Sequence, residues 1–108
     1  MPYSTYKSYL AQTTTVRVVK TVPGALNGYV IYNPNAVVSY VQCFDTADAV
    51  TLGTTVPSFV IPMPATAGAN VLTDQGITLT KGLAIACTTT ATGSTAPSTG
   101  LDILLAVQ

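Results

Sequence analysis

The sequence predicts an all-β protein, a single antiparallel β-sandwich of about eight short strands with an extended N-terminal arm. Short alternating runs of apolar and polar residues, bounded by Gly, Pro, Asn and Asp, recur along the chain, whereas helical periodicity is scarce. Thr, which is β-branched and favours strands, is spread over the whole chain. A chain of 108 residues fits one domain with one core. The pattern leaves the strand order open, so jelly-roll and immunoglobulin-like sandwiches both remain possible.

The N-terminal residues 1–12 are predicted to be an arm, and residues 13–108 the sandwich domain. Tyr3, Tyr6 and Tyr9 recur at every third position of this arm, among small polar residues. One interpretation is a frayed terminus. The other is an arm that docks on a neighbouring molecule, because tyrosine is enriched at interfaces. We favour the docking arm.

The first half of the domain predicts four strands, each ended by turn residues. Asn27-Gly28 is typical of a type I′ hairpin turn. Asn33-Pro34-Asn35 ends a strand, because proline cannot donate to a ladder. Prolines flank the fourth strand, which favours a sheet edge. The predicted strands are 13–19, 29–32, 36–44 and 58–61, with a further short strand expected at 49–53.

The second half predicts a loop at 65–69, a weak strand at 70–73, a turn at 74–76 and a tight hairpin. Residues 77–80 and 83–88 form that hairpin, joined at Lys81-Gly82. Residues 89–100 are almost wholly Thr, Ala, Ser, Gly and Pro, and we expect a loop that projects from the body. A last strand at 101–107 is so apolar that it must be paired and covered. The expected inward residues are Ile77, Leu79, Leu83, Ile85 and Cys87 in the hairpin, and Leu101, Ile103, Leu105 and Val107 in the last strand.

Charged residues make up only 7% of the chain and the formal net charge is zero. The four cations form no basic cluster, so we expect no nucleic-acid partner. No export signal and no membrane-spanning apolar run are visible, so we expect no membrane partner and folding in a cytoplasm, where thiols stay reduced. A neutral surface rich in Thr also opposes association only weakly. These properties suit a protein that is packed against other proteins.

The residue types that usually carry catalysis are scarce. The chain contains no His, Trp or Glu, which excludes the usual Ser-His-Asp and Cys-His arrangements and imidazole-based zinc sites. No glycine-rich phosphate cradle occurs either. We therefore expect no enzyme activity, no catalytic residue, no cofactor and no bound metal.

The stretch 41–50, VQCFDTADAV, brings a cysteine and two aspartates close together. Asp45 and Asp48 are candidate calcium ligands, but Asp after a strand more often shapes a turn, and we favour the turn. Cys43 and Cys87 both fall on inward faces of predicted strands. Two separate buried thiols, a disulfide across the core, and a reactive or metal-binding pair are the alternatives; we favour separate thiols.

Two segments together resemble a pattern in small β-sandwich virion proteins of tailed bacteriophages. They are YVQCFDTADAVTLGTTVPSFVIPMPA and GITLTKGLAIACTTTATGSTAP, which lie within residues 40–97. The resemblance rests on the YVQ-F-D strand, the V-x-LGTT-x-P turn, the IP-x-PA exit and the GL-x-IA-x-TTT run. It implies a capsid cement or decoration protein, made in the host bacterial cytoplasm, that binds the major capsid protein on the virion surface as a homotrimer and stabilises the shell.

On this hypothesis we expect Tyr3, Tyr6 and Tyr9 to dock on a neighbour, and the proline-rich segment around Met63 to lie at a subunit seam. The alternative is a tail or fibre adhesion module that binds a host receptor or glycan. Its site would lie in the loop 89–100, although that loop has no aromatic residue on which a sugar could stack. An enzyme is the third and weakest hypothesis.

Overall fold

A computed structural model describes residues 4–108, except for the side chains of residues 72–75. Within this range the protein is an antiparallel β-sandwich without helices. We call the sheet with strand order β1-β8-β3-β6 sheet I and the sheet with order β2-β7-β4-β5 sheet II. No described segment forms a helix long and apolar enough to span a bilayer. The eight strands are β1 (Thr5–Gln12), β2 (Arg17–Lys20), β3 (Gly24–Asn33), β4 (Ser39–Phe44), β5 (Phe59–Met63), β6 (Ala67–Leu79), β7 (Leu83–Thr88) and β8 (Leu101–Val107).

The strand pairing is nested along the chain, and this makes the sandwich a jelly roll. The first strand pairs with the last, β2 with β7, β3 with β6 and β4 with β5, all antiparallel. Two further pairings, β3 with β8 and β4 with β7, join these four strand pairs into the two sheets. An immunoglobulin-like sandwich groups its strands differently. The predicted β-sandwich is confirmed, and its strand order is now defined. Residues 5–12 of the predicted N-terminal arm form the edge strand β1 and so belong to the sandwich.

The core lies between the inner faces of the two sheets. Alternate residues of β8 point into it, and Leu101, Ile103, Leu105 and Val107 are all buried, as predicted for the last strand. Each such aliphatic side chain contributes roughly 1.5–3 kcal/mol by leaving water. The opposing residues of sheet II include Val41, Cys43, Ile85 and Cys87.

Two predicted turns are β-bulges inside long strands. Asn27-Gly28 lies within β3, where the register with β6 shifts between Leu26 and Gly28. On β6, Gly76 adopts a φ of +65° beside that shift, so the predicted strands 70–73 and 77–80 form one continuous strand. Residues that favour hairpins also suit bulges, because both need backbone conformations that glycine adopts easily. The predictions of a hairpin at Asn27-Gly28 and of a turn at 74–76 were wrong for this reason.

The predicted hairpin joined at Lys81-Gly82 is also wrong. The strand before it, β6, belongs to sheet I, and the strand after it, β7, belongs to sheet II. We call the segment 80–82, where the chain passes from sheet I to sheet II, the crossing. Gly82 packs tightly there, because an added Cβ would lie 2.6 Å from the Lys20 carbonyl oxygen. Leu79 and Leu83 are buried as predicted, whereas Ile77 is 41% exposed. Residues 49–53 form no strand, and a turn occupies 52–54.

Candidate interaction surfaces

The outer face of sheet I is apolar and uncovered. Side chains that point away from sheet II include Tyr6, Leu10 and Tyr32, whose exposed fractions are 63%, 74% and 46%. Strand alternation places them there, because Tyr6 pairs with Ala106 and Tyr32 with Asp102, both on the side opposite the core residues of β8. Val30, opposite Leu104, adds a further exposed apolar side chain. These residues form what we call the outer face of sheet I.

A shallow depression of about 160 Å³ lies in this face. Its edge is shaped by a bulge near the end of β1, where Ala11 adopts a φ of +53°. The Asp102 carboxylate holds the bulge by accepting a hydrogen bond of 2.9 Å from the Ala11 backbone N–H. One oxygen of Asp102 is therefore engaged within the chain. The depression is lined by Ser8, Leu10, Val30, Tyr32, Asp102, Ile103 and Leu104.

The outer face of sheet II is covered by the chain itself along the central strands β4 and β7, whereas Val18 on the edge strand β2 is 62% exposed. Gln42 and Phe44 point away from the core, yet they are 0% and 1% exposed. The Gln42 amide donates to Thr88 Oγ1 at 2.7 Å and to the Gly93 carbonyl at 3.0 Å. The loop 89–100 therefore folds back over the sheet, so the expectation of a projecting loop was wrong. Gln42 Oε1 is buried under that loop without a hydrogen-bond partner.

The strand edges differ between the sheets in the same way. At the edges of sheet II, β2 has only four residues and β5 contains the exposed Pro62. Both features prevent pairing with a further strand. At the edges of sheet I, β1 has eight residues and β6 has thirteen, and neither contains a proline. Sheet I thus has two long edges without the proline or short length that blocks pairing.

A buried polar cluster ties three loops together at one end of the sandwich. Asn33 donates to the carbonyls of Val37, Met63 and Pro64 at 3.0–3.1 Å. The Asn35 side chain pairs with the backbone of Thr99, donating to its carbonyl and accepting from its N–H, both at 2.8 Å. The cluster explains why Asn33-Pro34-Asn35 ends β3. Its hydrogen bonds are internal, so its role is structural.

The predicted tyrosine set does not act as one surface. Tyr3 lies outside the described residues. Tyr6 is exposed on the outer face of sheet I, whereas Tyr9 packs against the core from the other side of β1. A strand has a period of two, so residues three apart point to opposite faces. Burial raises the pKa of Tyr9, and the nearby Arg17 partly offsets this.

Met63 is completely buried in the core. Its side chain cannot contact a neighbouring subunit in this fold, so the expectation that placed Met63 itself at a seam needs correction. The alternation of β5 explains the difference, because Ile61 and Met63 point inward while Pro62 points to solvent. Any seam along this segment would involve the exposed Pro62 and Pro64.

Cys43 and Cys87 are free, buried thiols on the inner face of sheet II. They lie on neighbouring strands, where Val41 is opposite Cys87 and Cys43 is opposite Ile85. Burial raises the pKa of both thiols, to about 12 for Cys87. The preferred prediction of two separate buried thiols is confirmed. Protonated thiols in an apolar core are poor nucleophiles.

Asp45 joins the end of β4 to the crossing between the sheets. Its carboxylate accepts hydrogen bonds from the backbone N–H groups of Thr80, Lys81 and Gly82 at 2.8–3.2 Å, and from the Thr80 hydroxyl at 3.0 Å. These donors lower its pKa to about 2. The preferred prediction of a turn-shaping Asp45 is confirmed. Among the described residues, no group of three or more Cys, Asp or Glu side chains is placed to hold a metal ion.

Reasoning from the sequence missed the outer face of sheet I, although a signal was present. The run ILLAV in β8 is apolar at every position, which is typical of a strand covered on both faces. In the described residues, only the core side of β8 is covered by the other sheet.

Comparison with known proteins identified no family or relative. A scan of protein-family models, a search of curated proteins and a search of solved structures each found no match.

Proposed function

We propose that this protein is a structural virion component, a capsid cement or decoration protein that acts through repeated protein–protein contacts. In this role it binds the lattice of the major capsid protein as a homotrimer on the virion surface. The proposal joins the resemblance in residues 40–97 to the surfaces described above. The jelly roll is compatible with it, since viral capsid domains use this architecture, but a fold by itself does not define a function.

The observation that carries the proposal is that the outer face of one sheet is covered by the chain and the outer face of the other is not. In sheet II the outer sides of the central strands β4 and β7 are buried within the chain, and the exposed apolar Val18 lies on the short edge strand β2. The outer face of sheet I is apolar and uncovered on its central strands as well, and it is bounded by two open edges. Contiguous exposed apolar surface on a small protein usually marks an interaction site. With a net charge of zero, long-range attraction contributes little, so contact area must supply the affinity.

The size of the outer face indicates how such a protein would act. Tyr6, Leu10, Val30 and Tyr32 leave on the order of 400 Å² of apolar surface exposed. This is about half of the roughly 800 Å² that each partner buries in a standard interface. A single contact of this size is weak, whereas many contacts on one lattice reinforce each other. Strengthening a shell requires this kind of repeated binding.

A second candidate is the adhesion module that binds a receptor or glycan. Tyr32 supports it, because an exposed ring beside a depression is a platform on which a sugar can stack. The surrounding walls are mostly aliphatic, and Ser8 and Asp102 are the polar side chains among them. Sugar sites need several converging hydrogen-bonding groups, so this candidate ranks second. Specific binding on a glycan array, abolished by Tyr32→Ser, would place it first.

The direct test is binding to capsid shells assembled without this chain. When such shells are sedimented, the wild-type protein should sediment with them in a saturable manner. Binding should also raise the temperature at which the shells release their contents. Replacing Tyr32 or Leu10 by serine should weaken binding at least tenfold, because each substitution removes apolar area from the outer face of sheet I.

Val56→Ser is the matched control. Val56 is the most exposed large apolar residue described, and it lies in the loop 45–58, which joins β4 and β5 of sheet II. Its substitution should leave shell binding unchanged. If the wild-type protein fails to bind shells, the cement role is wrong. If Val56→Ser weakens binding as much as Tyr32→Ser, the outer face of sheet I is not the contact surface.

A further inference from the structure

The depression in the outer face of sheet I holds a carboxylate beside an aromatic ring. Asp102 on β8 lies directly opposite Tyr32 on β3, so their Cβ atoms are about 4.5–5.5 Å apart on the same side of the sheet. The other walls are mostly aliphatic and include Leu10, Val30 and Leu104. Asp102 is also the only charged residue of β8. A single negative charge therefore lies at an apolar depression, next to an exposed ring.

The hydrogen bond to the β1 bulge orients this carboxylate but does not require its charge. Asp102 Oδ1 accepts that bond from the Ala11 backbone N–H at 2.9 Å. An asparagine side chain could accept the same bond through its own Oδ1. Within residues 4–108 this is the one hydrogen bond that Asp102 makes, and its side chain is exposed. The second carboxylate oxygen is thus held ready for a donor from another molecule.

The cations of this chain are placed away from the depression. Lys7 pairs with Leu105, whose side chain is in the core, so Lys7 leaves β1 on the side of the sheet opposite Asp102. The other cations, which donate to other residues or lie in the crossing, are Arg17, Lys20 and Lys81. A positive charge that pairs with Asp102 must therefore come from a partner.

We propose that the depression binds an arginine side chain of the partner, with its guanidinium between Tyr32 and Asp102. This inference rests on the proposed function and names the group of the capsid protein that meets the outer face of sheet I. A guanidinium is planar, stacks on aromatic rings and donates hydrogen bonds to carboxylates. Its methylene stem packs against apolar surface while the charged end stays polar. The walls of the depression match both parts.

The size of the depression suits one side chain. Its volume is about 160 Å³. Sites for small molecules usually enclose roughly 300–1,000 Å³, whereas one water molecule occupies roughly 30 Å³ in the liquid. A lysine side chain also carries a stem and a charge, but its compact ammonium offers no plane to stack on Tyr32. We therefore expect arginine to bind more tightly than lysine.

The ion pair contributes to selectivity more than to affinity. Exposed pairs of this kind change binding by only roughly two- to fivefold, so the apolar contacts of Tyr32 and Leu10 must supply most of the affinity. A charge at a fixed point does, however, determine which partner residue faces it and in which register. Asp102 would in this way orient the protein on the capsid lattice.

The first test needs no shells. N-acetyl-arginine amide is the probe, and N-acetyl-citrulline amide, which has a neutral urea in place of the guanidinium, is the matched control. In NMR titrations at about 10 mM salt, where charges are screened least, the arginine amide should shift the backbone amide signals of Val30, Tyr32 and Asp102. The citrulline amide should bind roughly two- to fivefold more weakly. Asp102→Asn should abolish that difference.

Three results of these titrations would contradict the proposal. Equal binding of the two amides, or no shift at Tyr32 and Asp102 with either, would show that the depression does not bind a guanidinium. Tighter binding of N-acetyl-lysine amide would show that the ring does not select arginine. Shifts caused by methyl β-glucoside and not by the arginine amide would favour the adhesion module instead.

The second test measures binding of Asp102→Asn to capsid shells assembled without this chain. The variant should bind roughly two- to fivefold more weakly than the wild type at low salt, and raising the salt concentration should remove most of this difference. Its thermal unfolding should match the wild type, because the bond to Ala11 is retained. Asp48→Asn removes the same charge from the loop 45–58 and should bind shells as the wild type does.

The two tests fail independently of each other. If the wild-type protein binds shells and Asp102→Asn binds equally well at every salt concentration, the arginine contact is wrong and the cement role stands. If the wild-type protein does not bind shells while the arginine amide still shifts Tyr32 and Asp102, the arginine site stands and the cement role is wrong.

Discussion

Sheets I and II have inner faces of the same kind but opposite outer faces. Both inner faces supply aliphatic side chains to one core. The outer face of sheet II is buried along β4 and β7, where the loop 89–100 lies over it, and this loop meets the loop 45–58 where Gly53 packs against Ser94. The outer face of sheet I exposes Tyr6, Leu10 and Tyr32 instead. A sandwich needs only its inner faces to fold, so the covered outer face serves stability and the uncovered one is free to bind.

The loops explain how one sheet became closed. The loop 89–100 has few apolar side chains, and it covers sheet II through hydrogen bonds from Gln42 and through the buried Pro97. Asn35 holds the other end of this loop at Thr99. Polar residues that look typical of a flexible loop therefore act as a fixed cover.

The largest expected effect comes from Phe44→Ala, on the outer face of sheet II. It should lower the free energy of unfolding by about 3–5 kcal/mol, because a fully buried aromatic side chain is lost. Tyr32→Ala, on the outer face of sheet I, is the matched substitution and should cost less than about 1 kcal/mol. Urea denaturation measures both. Equal losses would contradict the contrast between the two sheets.

Asn35→Ala should cost about 2–3 kcal/mol, since it leaves the N–H and the carbonyl of Thr99 without the side chain that pairs with both in a buried cluster. It should also release the loop 89–100, seen as faster amide exchange there. Asn70→Ala, on the exposed outer side of sheet I, is the control and should change stability by less than about 0.5 kcal/mol. Unchanged exchange in the loop would show that Asn35 does not hold it.

The hydrogen bonds to the Asp45 carboxylate should make the folded protein less stable in acid. Its pKa in the folded protein is about 2 against an ordinary 3.8, so its carboxylate stabilises the fold above the ordinary value. That contribution is lost as pH falls from 3.8 toward 2. Asp45→Asn should cost about 1 kcal/mol at neutral pH and flatten the fall in stability over this interval. Asp48→Asn, which removes a charge from the same loop, is the control and should change stability at neutral pH by less than about 0.5 kcal/mol. Identical profiles for wild type and Asp45→Asn would show that the crossing does not depend on this charge.

The smallest expected effect is the reaction of the two thiols on the inner face of sheet II with a thiol reagent. The native protein should take up no thiol reagent near neutral pH over minutes, because both side chains are buried and protonated. After unfolding without a reductant, two thiols per chain should react. Labelling of Cys87 in the native state would show that sheet II opens more readily than its covered face implies.

The sequence predicted the inner faces of the sandwich better than its strand pairing. Leu101, Ile103, Leu105 and Val107 were assigned correctly, since a two-residue period in an apolar strand shows which residues share a face. Gly76 was misread as part of a turn and Lys81-Gly82 as a hairpin, because a bulge, a crossing between sheets and a hairpin all use glycine. Met63 was misplaced at a seam, since flanking prolines indicate an edge strand but not which of its residues point inward.

By itself the sequence determined the all-β class and the inward residues of the last strand, and it favoured separate buried thiols and a turn role for Asp45. These follow from local preferences and from the period of a strand. Only the tertiary structure decided that β6 and β7 lie in different sheets, that Gln42 and Phe44 are covered, and that the outer face of sheet I is not. Those outcomes depend on contacts between residues far apart in the chain, and strand periodicity carries no information about which distant segment covers a face.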